Sequence, residues 1–423
     1  MSLIDEKWEI LFEKYHIREE IRRNGRFLIT ADQIRQVKEP RLMTKFDTRE
    51  SRPEVFGSRI GILPVTRGSY VLGEFDLYQD FPETIGGVKL AAAKIPDYFE
   101  TIDVRDIRSE AAAIHVMGIA GILDDFLGEE RMAQTVSGRM GSGSFEFQVK
   151  GNGDRRAHTI QVRNSQVEID GGFEGKTSFA LIEGKNVVHS NFLIRQLYYP
   201  YRLWQERIRK NVRPVFMVYS NSIFRLLEYA FSDICDYSSI QLVREKRYSL
   251  EDVEISREDL LRVFRQTRPQ PEPKVTFIQA DSFPKVISLV EHLKEKAMTT
   301  GEIAELFGFR PRQSDYYYNA CRYLGLAEKK KGEAGVKVHI TPAGKRLLQM
   351  KYKERQLEYA RLILKHPIFH ELFEVVLRTG EIPEKPYIKE RMRALALCSE
   401  NLIDRRSSSV RGWLLWIRDL ISV

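Results

Sequence analysis

Apolar positions recur every three or four residues between Asp5 and Lys38, through WEILFEKYHIREEIRRNGRFLITADQIRQV, with a break at Asn24 and Gly25 and a restart after Thr30. That spacing predicts two short helices. From Met43 to Leu77 the pattern shifts to β-type runs, GILPV and GSYVLGEFDLY, interspersed with Gly and Pro. A small α+β module is therefore expected over residues 1–95, a candidate for DNA recognition.

The middle of the chain is more regular. Ile107 to Gly128 reads as one long helix, followed by a Gly-rich turn, SGRMGSGS, from Ser137 to Ser144, and a strand, FEFQVKG. An alternating strand, HTIQVRNSQVEID, then a turn, GGFEGK, and a strand, TSFALIEGKN, lead into a helix, NFLIRQLYYPYRLWQERIRK. A buried strand, PVFMVYS, a short helix from Phe224 to Phe231 and a strand near Ile240 complete an α-β-β-β-α-β order. This predicts a mixed sheet with helices against it over residues 96–264.

The Pro-rich, charged RQTRPQPEPK has the composition of a linker, placed at residues 265–275. Beyond it helical pattern dominates, apart from VKVHIT at 336–341. The expected units are a domain at 276–355 and a helical, helix-turn-helix-like domain at 356–423, giving an α+β multidomain chain.

Composition narrows the function classes. The 423 residues carry 67 Lys and Arg against 59 Asp and Glu, a net charge of +8, which suits a polyanionic partner without requiring one. The N-terminus has no basic leader or apolar core, and the longest weakly polar stretch, Ala111 to Leu123, is too short to span a bilayer. A soluble, cytoplasmic protein with no membrane partner is expected. Cys235, Cys321 and Cys398 form no CxxC pair, and the eight His show no HxxxH or HExxH spacing, so neither a disulfide framework nor a zinc motif is indicated.

The residues that suggest chemistry lie on two successive strands. Strand alternation puts Glu168 and Asp170 on one face, and Phe179, Leu181, Glu183 and Lys185 on one face of the next strand. A hairpin would bring Asp170 beside Glu183. Two carboxylates and the Gly184 carbonyl suit a hard divalent ion such as Mg²⁺. Such an ion activates a phosphodiester and a water, which Lys185 could orient or help to deprotonate. An isolated Glu-x-Lys is most often an exposed strand pair. Here it closes an apolar strand, follows an acidic strand end and precedes a helix. GGFEGKT at 171–177 is not a phosphate-binding P-loop, since Asp170 stands where the first Gly belongs and a strand follows Thr177.

VEID at 167–170 followed by ALIEGK at 180–185 resembles the PD-(D/E)XK nuclease signature, and QVEIDGGFEG, ALIEGKN and IRQLYYPYRLW are similar to type II restriction endonucleases of that superfamily. Ile169 replaces the usual Pro before the acid. The resemblance covers about residues 107–250. It implies a restriction-endonuclease-like mixed sheet, Mg²⁺ on Asp170 and Glu183, and a catalytic Lys185. It also implies an accessory acid at Glu110, with helix-capping charge as the equal alternative, and a supporting amide at Gln196, for which a surface amide is the alternative. Tyr199 is expected to pack.

After the linker, TTGEIAELFGF and RQSDYYYNACRYLGL read as two helices followed by the basic hairpin EKKKGEAGVKVHIT, the pattern of a winged helix. Arg310, Arg312, Gln313, Ser314, Tyr316, Tyr317 and Asn319 would face a major groove, and Lys329 to Lys331 and Lys337 would meet phosphates. A solvated wing on a protein-interaction module is the alternative. Arg405, Arg406 and Arg411 lie on a last helix whose Trp413 and Trp416 should pack inside, and Arg139 in the Gly-rich turn could follow a DNA backbone, with an ordinary hairpin loop as the equal alternative. The resulting expectation is a Mg²⁺-dependent type II site-specific endonuclease on double-stranded DNA, acting as a homodimer; the resemblance, rather than these residues, implies a cognate DNA methyltransferase and products with a 5′-phosphate and a 3′-hydroxyl. The alternatives are a winged-helix regulator with an inactive nuclease domain, or an endonuclease that requires modified bases.

Overall fold

A seven-stranded mixed sheet organises the centre of the chain. Its spatial order is Leu90–Ala92, Ile240–Ser249, Ile223–Phe231, Asn211–Ser220, Ser178–Lys185, Gln166–Glu174 and Ala133–Gly141. The first pair and the Ser178–Lys185/Asn211–Ser220 pair are parallel, and the others antiparallel. The parallel pair needs a crossover, which the helix Arg195–Gln205 supplies on one face. The helices Glu110–Ile119 and Ile122–Leu127 cover the other face. This computed structural model describes residues 3–82, 90–153, 156–309, 311–333 and 335–422.

The sequence pattern needs correction at four places within this domain. The long helix expected from Ile107 to Gly128 is two helices, because Gly121 turns the chain in the left-handed region at φ 65°. The Gly-rich segment expected as a turn is instead the edge strand Ala133–Gly141, whose two register shifts and exposed positions hide any alternation. FEFQVKG belongs to a separate hairpin, Ser144–Lys150 with Ala157–Arg163, so HTIQVRNSQVEID is two strands rather than one. Phe224 to Phe231 is a strand: Phe224 and Leu226 enter one core layer, and Leu227, Tyr229 and Phe231 the other. A strand buried on both faces loses its alternation and reads like a helix.

The N-terminal residues form their own core around Trp8, Leu11, Phe12, Phe56 and Leu72, with the indole of Trp8 donating to the Met43 carbonyl at 2.8 Å. RFLIT, in the interval between the two expected helices, is a strand paired with Ser69–Gly73. The expected boundary at residue 95 falls too late. Tyr78–Asp80 already pairs with Asn191–Leu193, and Leu90–Ala92 is part of the central sheet.

The segment expected as a linker is docked. Gln270 N donates to the Lys365 carbonyl at 2.7 Å, and Tyr323 donates its hydroxyl to Glu272 at 2.8 Å. Beyond it, Phe283–Glu295, Thr300–Phe307 and Pro311–Tyr323 are helices, followed by the hairpin Ala327–Gly332/Gly335–Ile340. Met298 makes a single antiparallel bridge to Val338 at the edge of that hairpin. The last helix, Glu400–Asp419, lays Trp413 into the core, where it stacks on Phe369 and donates to the Ala280 carbonyl at 2.8 Å. Trp416 is half-buried against Phe283.

No helix among the described residues is long and apolar enough to cross a membrane. Trp413 joins the last helix to the segment before Phe283. Trp413→Ala is therefore expected to cost about 3–5 kcal/mol of folding free energy, read by urea denaturation, through the cavity and the orphaned carbonyl.

Candidate active site

The ladder between the Asp170 strand and the Glu183 strand stops at Gly171 opposite Ile182. One residue further on, the Asp170 carboxylate replaces backbone pairing and accepts the Gly184 N–H at 2.9 Å. The two strands therefore part at the carboxyl end of the Glu183 strand while staying tied by a side chain. A notch opens there, lined by Asp170, Glu183 and Lys185.

Glu183 is only 9% exposed. Its Oε1 accepts from Lys185 Nζ at 2.6 Å and from Gln196 Nε2 at 2.5 Å. Gln196 stands in the first turn of the crossover helix, so the βα connection itself carries the amide to the acid. Burial pushes the Glu183 carboxyl up to about 7, with Lys185 opposing and Asp170 reinforcing the shift. Burial would lower Lys185, but the negative charges of Glu183, Asp47 and Glu110 outweigh it and hold the ammonium protonated.

Glu110 is the first residue of its helix, where the Ser109 hydroxyl caps by accepting from Ala112 N at 3.1 Å. Its carboxylate accepts the Asn186 N–H at 3.4 Å. Burial raises its pKa, Lys185 opposing and Asp170 adding to the rise. The helix can approach because two glycines lie beneath it. A Cβ on Gly184 would stand 3.1 Å from Ile114 Cδ1, and one on Gly171 would stand 3.0 Å from Ile114 Cγ2. The hairpin and the Glu110 helix thus place all five sequence-derived residues, Asp170, Glu183, Lys185, Glu110 and Gln196, around one notch. Tyr199 is buried and donates to the Pro64 carbonyl at 3.0 Å.

Sequence reasoning missed Asp47. It comes from the N-terminal module, its carbonyl accepts Leu193 N at 3.0 Å, and its charge acts on both Glu183 and Lys185. No local pattern ties it to strands more than a hundred positions away. His189, in the loop after Lys185, is also near, with its Nδ1 3.2 Å from the Phe307 carbonyl, and burial lowers its pKa to about 4.

The donor set fits a hard cation in chemistry. Asp170 Oδ1 and Glu183 Oε2 have no hydrogen-bond partner among the described residues, and Gln196 Oε1 is buried and unpartnered. These are oxygen ligands or acceptors for bound water. No cluster of three or more His, Cys, Asp or Glu side chains that could hold a metal occurs among the described residues. The Asp170 and Glu183 carboxylates and the Gly184 carbonyl are the oxygens at the centre of the notch, with Glu110 at its rim.

The expected DNA-contacting residues divide. Arg312 is exposed, Asn319 half-exposed, and Arg322, missed in the sequence, lies three residues further along on the same exposed helix face. Ser314 is fully buried and cannot reach a base. Gln313 borders a cavity, Tyr317 is buried, and Arg310 lies outside the described residues. Lys330 and Lys337 face each other across the hairpin, Lys330 paired with Glu328 at 3.0 Å. Lys329 is engaged by Asp315 at 2.9 Å. Arg405 is exposed with its guanidinium over the Tyr316 ring, whereas Arg406 is buried at 8% exposure and packs inside. Arg139 sits on the edge strand rather than in a turn, paired with Glu168 at 3.2 Å.

Three families match successive parts of the chain, each described as a domain of unknown function: DUF6996 at residues 5–72, DUF6997 at 73–249 and DUF7226 at 285–422. No curated protein and no solved structure matches the chain significantly. The break between residues 72 and 73 falls at the end of the N-terminal core.

The Ile114 contact yields a stability test. Gly184→Ala should cost about 1 kcal/mol by overpacking, and close to nothing in an Ile114→Ala background. A double-mutant cycle on urea midpoints measures that coupling.

Proposed function

We propose that this chain is a Mg²⁺-dependent endonuclease of double-stranded DNA, of the type II restriction class. The observation that carries the reading is the convergence of Asp170, Glu183 and Lys185 on one notch, with Gln196 bonded to Glu183. A Mg²⁺ on Asp170, Glu183 and the Gly184 carbonyl would supply Lewis-acid polarisation of the phosphodiester and a more acidic water.

The chain's own residues do the rest. Lys185, held protonated, serves as a fixed cation toward charge gathering on the phosphoryl oxygens rather than as a base. Gln196 fixes the carboxylate it touches, and its free Oε1 is an acceptor for an ordered water. Glu110 adds a third acid at the rim, bonded to Asn186. The parting of the strands beyond Ile182 gives the phosphate access to these groups.

The C-terminal half supports DNA reading by its order of elements. Three helices, a β-bridge at Met298 and a two-stranded hairpin follow the order of a winged helix. Lys330 and Lys337 stand opposite each other on adjacent strands with one carboxylate, Glu328, paired to Lys330 at 3.0 Å, so the pair keeps a net positive charge toward an anion laid across it. Cutting both strands needs two notches, hence a homodimer, and host DNA would need a cognate methyltransferase. The burial of Glu183 favours one rival, a DNA-binding regulator whose notch never turns over substrate.

Asp170→Ala and Glu183→Ala should each abolish cleavage of mixed plasmids in Mg²⁺ while retaining gel shifts. Lys185→Ala should lose about 10²-fold or more in rate. EDTA should stop the wild type. Gel shifts without discrete fragments from wild-type protein would favour the regulator.

The wing offers a separate measurement. Lys330→Ala and Lys337→Ala should each lower the slope of log affinity against log salt by about 1, whatever the DNA sequence. An unchanged slope would remove the wing from the interface.

A further inference from the structure

Where the three modules meet lies a cavity of about 1240 Å³. His189 and Ser190, from the loop that follows Lys185, form one wall, Gln313 and Tyr317 of the Pro311–Tyr323 helix another, and Arg411 and Trp416 of the last helix a third. A volume of this order takes a small molecule or one nucleotide. It does not take a duplex, whose major groove alone is about 12 Å wide.

The charge of the walls selects the ligand. Among the lining carboxylates, Asp80 is paired with Arg49 and Asp419 with Arg418, while Glu50 and Asp281 bond to the neutral Asn191 amide and Tyr317 hydroxyl. Two lining cations form no ion pair among the described residues. Lys285 has no carboxylate within ion-pair distance among the described residues, and its ammonium donates to Ser190 Oγ at 2.7 Å beside the Phe309 ring. Burial lowers its pKa, with the charges of Asp281 and Glu50 opposing the shift. Arg411 is exposed at the mouth and also has no ion pair among the described residues. Phe81, Phe309 and Trp416 supply ring surface to the same space.

We infer that this cavity binds a single nucleoside phosphate, its phosphate on Lys285 and Arg411 and its base against the aromatic wall. The nucleotide is either free, as an effector, or one nucleotide turned out of the duplex. The second source rests on the proposed nuclease function and the first does not. Lying between the loop after Lys185 and the helix assigned to reading, the occupant would touch both. Base stacking on rings and phosphate on cations are the two contacts a mononucleotide needs.

The test uses the full chain and calorimetric titration with dAMP, with inorganic phosphate as the control. Binding by wild type and Asp170→Ala alike, weakened at least tenfold by Lys285→Ala and by Arg411→Ala, supports a free nucleotide. If dAMP does not bind, a duplex of the mapped cleavage site carrying 2-aminopurine is mixed with Asp170→Ala protein. A several-fold fluorescence rise, absent when Lys285→Ala is added, then supports an extruded one.

Phosphate binding as tightly as dAMP overturns the inference, as does binding that neither substitution changes. No dAMP binding and no fluorescence rise overturn it too. Should the chain cut no DNA, the nuclease reading fails and the dAMP titration alone decides this one. Thermal unfolding checks each variant, and Arg411, being exposed, carries the test if Lys285→Ala misfolds.

Discussion

A single side-chain hydrogen bond, from the Gly184 N–H to the Asp170 carboxylate, governs the geometry around which the molecule is arranged. Were the backbone ladder to run on past Ile182, the two strands would close and no notch would exist. With a carboxylate in place of a carbonyl, the strands separate by the reach of one side chain yet keep their register. Every other member of the site is then positioned relative to this opening: Glu183 and Lys185 by strand alternation, Gln196 by the crossover, Glu110 by a helix that two glycines allow to settle close.

The short stretch after Lys185 is where the modules meet. Arg49 N and Glu50 bind the Asn191 side chain, the Phe307 carbonyl touches His189, and Lys285 binds Ser190. Both flanking regions therefore press on the loop that leaves the notch. Asp47 brings a charge of the N-terminal module close to Glu183 and Lys185 at the same junction.

The five residues of the notch were legible because they lie within about ninety positions on elements with regular periodicity, and hairpin pairing follows from alternation. Asp47 and Lys285 were not, since they arrive from separate folding units and no local period encodes that approach. Among the elements, errors fell where side-chain pattern carries little information. Ala133–Gly141 is an exposed edge with two glycines and bulges, and Ile223–Phe231 is apolar on both faces. The Pro-rich segment was misread because composition reports flexibility in isolation, whereas Glu272 and Gln270 find partners on helices far along the chain. Ser314 and Arg406 were polar residues on helices whose buried face the sequence did not distinguish from the exposed one.

At the tip of the central sheet, Asn221 and Ser222 both hold positive φ, at 55° and 60°, and turn their polar groups toward the C-terminal half. Asn221 and Gln356 exchange two amide bonds at 3.0 and 2.9 Å, Glu291 accepts from Ser220 and Asn221, and Arg355 donates to Ser222. A joint with that many matched contacts behaves as a weld rather than a tether. Under the proposed function a weld of this kind works as a ruler: the distance between the reading element and the notch is a constant of the fold.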